Sequence, residues 1–198
     1  MQRTTVWSWL VGGVLLVGQS ALTLTGAPAA GLGAAVFTMG ACVVYAFGLR
    51  PDESAVGRRP GGVALLLGLG ALAFLQAIWW VGPSGFRVGE RAAATASLGN
   101  VAIYLLAIAA AVAIVRAGVI PAPWSWVPLA AVAFGLGLAV FFAVVVPVLA
   151  PGSPAAGTAT LPATVPAVVG IVSIVLAVTT QPATPRPRVS SAAAVRHG

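Results

Sequence analysis

Few side chains in this chain can carry chemistry: three acids (Asp52, Glu53 and Glu90), one histidine (His197), one cysteine (Cys42) and ten arginines with no lysine. A single histidine next to the C-terminus cannot build a zinc cage, ligate a haem axially or activate a serine. Without lysine there is neither a Schiff base nor a P-loop phosphate clamp. One cysteine has no thiol partner, and Cys42, set among apolar neighbours, reads as a small packing residue. No catalytic set, metal site or cofactor is therefore expected, and the chain reads as a non-enzyme.

What remains is uncharged and polar: Gln19, Ser20, Thr23, Thr38, Tyr45, Gln76, Thr95, Ser97, Asn100, Tyr104 and Ser173, each inside a long apolar stretch. Asn100 and Tyr104 are four apart and share one face of a helix. Gln19, Gln76, Asn100 and Tyr104 form the candidate intramembrane polar site. Such groups either line a cavity for a neutral ligand or hydrogen-bond helices to each other, at about 0.6 kcal/mol per contact. The second role is the expected one.

The elements that must hold these residues are apolar to an unusual degree. Of 198 residues 60% are hydrophobic and 7% charged, with a mean hydropathy of +1.04, against ~45–50% and ~25% in soluble domains. A water-soluble fold is excluded, and no nucleic-acid partner is expected. Six uncharged stretches, about 6–25, 30–49, 62–81, 93–115, 126–149 and 163–180, are each near the ~20 residues a helix needs to cross a bilayer. They are continuously apolar and twice too long for membrane β-strands, so each must satisfy its backbone as a helix. The expected architecture is an all-α polytopic membrane bundle of six transmembrane helices over residues 1–180, with a disordered basic tail over 181–198. The first stretch, followed by APA at 27–29, also resembles a secretory signal, whose removal would leave five spans.

Arginine placement sets the expected orientation, because short loops rich in arginine stay in the cytoplasm. Arg3, Arg50, Arg58, Arg59, Arg116, Arg186, Arg188 and Arg196 fall on one side, and only Arg87 and Arg91 on the other. Both termini are expected in the cytoplasm and the protein in the plasma membrane. Trp7, Trp9, Trp79, Trp80, Trp124 and Trp126 all lie at span ends, where indoles anchor at headgroups. Small residues recur every four positions at Gly31 and Ala35 and at Ala131, Gly135, Ala139 and Ala143, a spacing that lets helices approach closely. Pro128, Pro147 and Pro166 are expected to kink their helices. Short echoes, GAPAAG with GSPAAG and GLGALAF with GLGLAVF, are what an Ala/Gly/Leu/Val-rich chain produces by composition. The expected role is an accessory or scaffold subunit in a membrane complex, with the lipid bilayer and other membrane subunits as partners. The alternative is a transporter component for a neutral or weakly polar solute.

Overall fold

The structure, a computed structural model, describes residues 5–27, 30–49, 53–81, 90–120, 124–141 and 161–179. It is all-helical, with no strand among these residues: α1 (Thr5–Leu24), α2 (Ala30–Phe47), α3 (Pro60–Val81), α4 (Glu90–Ala117), a 3-10 turn (Trp124–Trp126), α5 (Val127–Val140) and α6 (Leu161–Thr179). The apolar runs satisfy their backbone within each helix, as hydrocarbon requires. α2 and α4 stop at Gly48 and Gly118, whose φ values of +71° and +66° are the left-handed conformation that ends a helix and that glycine adopts without strain.

Four helices are long and apolar enough to cross a membrane: Trp7–Leu24, Ala30–Phe47, Pro60–Trp80 and Leu98–Ala117. The fifth and sixth expected spans appear as shorter apolar helices, Trp124–Val140 and Ala163–Thr179. Pro128 sits in the first turn of α5 rather than kinking it, which suits a residue that lacks an N–H. Pro166 lies inside α6. Pro147, Ala143, Arg3, Arg50, Arg186, Arg188, Arg196 and the 181–198 tail lie outside the described residues.

Each helix packs against its neighbours in sequence, and α6 returns to α1, closing a ring in chain order. The most extensive pairing is α1 with α6. It depends on two glycines: a Cβ on Gly13 would sit 2.7 Å from the Gly170 carbonyl oxygen, and one on Gly170 would sit 2.8 Å from that of Gly13. Between α2 and α3, Gly70 makes room for Met39, where a Cβ would lie 2.7 Å from the sulfur. Such close approach is how helices associate where lipid offers no hydrophobic drive.

Of the expected small-residue stripes, Ala35, Ala131 and Gly135 are buried and Ala139 is half-buried, with Gly135 pressed against Val165 of α6. Gly31 is exposed, with nothing near its Cβ position. The core gathers Leu16, Tyr45, Val56, Leu66, Ile114 and Leu176 towards one end of the ring. Five of the six tryptophans are exposed. Trp9 is the exception: it packs on the core, its ring 5.4 Å from that of Tyr45.

Candidate functional site

Of the expected polar site, the fold brings Gln76 and Asn100 together. Gln76 Nε2 donates to Asn100 Oδ1 at 2.8 Å, joining α3 to α4. The absence of a side chain at Gly99 permits it, since a Cβ there would lie 3.1 Å from Gln76 Oε1. Asn100 shares a face of α4 with Ala111 and Ile114, eleven and fourteen residues on. Those two are buried, whereas Asn100 is exposed. The outward face of α4 is a different one, carrying Leu98, Val101 and Leu105. Tyr104 is half-buried one turn beyond Asn100.

Gln19 stands apart on α1, which packs mainly against α2 and α6. It is buried, and its amide donates to Thr23 Oγ1 at 3.3 Å while the Thr23 hydroxyl donates back to the Gln19 carbonyl at 2.9 Å. Gln19 Oε1 and Gln76 Oε1 are buried acceptors that no donor among the described residues reaches.

A second polar cluster, absent from the sequence expectations, closes the core end of the ring. Residues 53–56 between α2 and α3 turn back into the bundle, and Glu53 and Val56 are each only 1% exposed. The Ser8 hydroxyl, at the start of α1, donates to Glu53 Oε2. It also accepts the Leu49 N–H at 2.7 Å. Ser54 donates to the Ala46 carbonyl at 2.6 Å, and Ala55 N–H to the Tyr45 carbonyl at 2.8 Å. A carboxylate is expensive to bury unless it is hydrogen-bonded, and here Ser8 is one of its donors.

Beside this knot the Tyr45 hydroxyl donates to Ser173 Oγ at 2.9 Å, tying α2 to α6. The tyrosine ring lies across Gly12, where a Cβ would come within 2.6 Å of it. The signal for the inward turn was present: Ala55 and Val56 are the apolar pair within an otherwise polar run, RPDESAVGRRPG.

The cluster's chemistry is structural. Ser8 donates straight to a carboxylate with no imidazole between, its own oxygen accepts a backbone N–H, and both side chains are closed off from solvent. That arrangement fastens three chain segments and offers no reachable nucleophile. Among the described residues no group of three or more His, Cys, Asp or Glu side chains can hold a metal ion. Outside the bundle end, Arg58 donates through Nε and Nη2 to the Phe47 carbonyl at 3.2 and 3.1 Å, and Arg59 through Nη1 to the Arg116 carbonyl at 3.1 Å.

Comparison with known protein families, with curated proteins and with solved structures returned no match.

Proposed function

We propose that the chain is a non-enzymatic accessory or scaffold subunit of a membrane complex, a multi-pass protein of the plasma membrane with both termini in the cytoplasm. The observation that carries this reading is how the polar side chains of the spans are used. Gln76 and Asn100 bond each other, Tyr45 bonds Ser173, and Thr38, Ser20 and Thr23 donate to carbonyls one turn back on their own helices. Groups spent on bonds between helices, as in the first two pairs, or within their own helix, as in the last three, support a bundle whose job is its shape. The exterior, with Leu98, Val101 and Leu105 exposed on α4, offers apolar surface to lipid and to other subunits.

A second reading, a transporter component for a neutral or weakly polar solute, is favoured by one observation. Asn100 is accessible on the helix face that is buried further along, and beside it the acceptor Gln76 Oε1 has no donor among the described residues. Affinity purification in mild detergent, followed by protein and small-molecule mass spectrometry, separates the two. A stoichiometric partner protein supports the first reading. A co-purifying solute that Asn100→Leu abolishes, at undiminished stability, replaces it with the second.

Orientation is tested by single cysteines in a Cys42→Ala background. Gly61→Cys, exposed at the start of α3, should label only from the cytoplasmic side, and Ser84→Cys only from outside. Equal labelling of both by an impermeant reagent in intact cells contradicts the orientation.

A further inference from the structure

The geometry points to the Asn100 amide, held by Gln76, as a seat for a carbonyl oxygen supplied by the ester linkage of a membrane glycerolipid. One bond places the two side chains together, Gln76 Nε2 donating to Asn100 Oδ1 at 2.8 Å. That bond uses the oxygen of the Asn100 amide and leaves its two N–H groups uncommitted. Asn100 is exposed, and its side chain makes no other hydrogen bond among the described residues. Gln76 Oε1 does not take up the spare donors: it is buried against Gly99, and no donor among the described residues reaches it.

Two helices agree on the depth of this amide. On α3, Trp79 and Trp80 follow Gln76 by three and four residues, about one turn or 5 Å nearer the helix end, and both are exposed. Exposed indoles at the end of an apolar helix mark headgroup level. On α4, the stretch apolar enough to cross a membrane, Leu98–Ala117, begins two residues before Asn100. The pair therefore lies just inside the boundary of the hydrocarbon. The exposed side chains next to it in the chain, Leu75 on α3 and Val101 on α4, are apolar, as is Leu98.

An amide N–H exposed at that depth has left bulk water behind, and a donor without an acceptor is costly there. The ester carbonyls of glycerolipids are the acceptors that lie at this boundary, and they are uncharged, as the donor is. Gln76 prepares the seat. Its bond to Oδ1 fixes the plane of the Asn100 amide, and a hydrogen bond accepted at the oxygen strengthens the N–H donors of the same group. Asn100 is thus the residue that touches the lipid, and Gln76 positions it. A purely structural tie between α3 and α4 needs only Gln76 Nε2 and Asn100 Oδ1 and makes no distinction among lipids. A lipid seated here suits a scaffold subunit and a transporter component alike.

The test uses the full chain in detergent micelles and two phosphatidylcholines of equal chain length, one ester-linked and one ether-linked, the second lacking the carbonyls. Native mass spectrometry reads the lipid retained, and thermal unfolding reads the stabilisation. The ester lipid should be retained about fivefold better, the size of one neutral hydrogen bond, and should raise the unfolding midpoint further. Asn100→Leu should abolish that preference. Gln76→Leu should reduce it, because the Asn100 amide remains but loses its support. Lower stability in either variant does not by itself move the ratio between the two lipids. Equal retention of the two lipids by the unaltered chain, or an ester preference that survives in Asn100→Leu, overturns the seat. If N,N-dimethylacetamide, a soluble carbonyl compound without an N–H, gives the whole stabilisation with no lipid added, a soluble carbonyl is the ligand and the lipid assignment fails.

Discussion

Glu53 and Asn100 occupy the opposite of what their places in the chain imply. Glu53 belongs to the most polar loop, yet it is among the most deeply buried side chains, closed under Ser8. Asn100 lies inside an apolar span, yet it is accessible, with Gln76 as its partner. The difference lies in what each bond connects. Ser8 and Glu53 join α1, the end of α2 and the inturned loop, so the contact closes one end of the ring. Gln76 and Asn100 join two helices already in register along the ring, and their bond adds to a contact that α3 and α4 make without it. Polarity in this chain therefore does not map onto exposure: a loop acid that ties three segments is buried, and a span amide that ties two helices is exposed.

The comparison is broken most severely by removing the frame around the closed end. Gly13→Leu drives a side chain into the Gly170 backbone, which cannot step aside. It should cost more than about 3 kcal/mol and prevent recovery of a folded bundle in detergent. Gly135→Leu meets only the Val165 side chain, which can rotate, and should cost about 1–2 kcal/mol by thermal unfolding.

Ser8→Ala falls between these two. It removes a donor to Glu53 and the acceptor of the Leu49 N–H, so a loss of about 2–3 kcal/mol is expected. The smallest effect should be at the amide pair. Asn100→Leu and Gln76→Leu should each cost about 0.6 kcal/mol. The double variant should cost no more than either alone, because both remove one bond. A loss at Asn100 as large as that at Ser8 would erase the distinction between the two regions.

The helices were legible because continuous apolar runs separated by Gly, Pro and charge leave the backbone no other solution in lipid. The same uniformity hid their faces. A helix apolar all round shows no stripe to say which side turns inward, so the Gly13–Gly170 crossing could not be told from any other pair of glycines. At the regular four-residue stripes, Gly135 and Ala131 lie in contacts while Gly31 does not. Gln76 and Asn100 bond each other, as two amides in neighbouring spans can where water is scarce. Gln19, grouped with them by type, bonds locally with Thr23 instead. Glu53 was missed because a charged loop residue is read by default as solvated, and only its apolar neighbours Ala55 and Val56 argued otherwise.

The inversion between loop and span can be measured directly by cysteine reactivity. In a Cys42→Ala background, Ser54→Cys reports the inturned loop and Asn100→Cys the accessible face of α4. With a small membrane-permeant thiol reagent on the folded protein, the account predicts that position 54 stays protected until the bundle unfolds and that position 100 reacts. Rapid labelling at 54 with protection at 100 would contradict it.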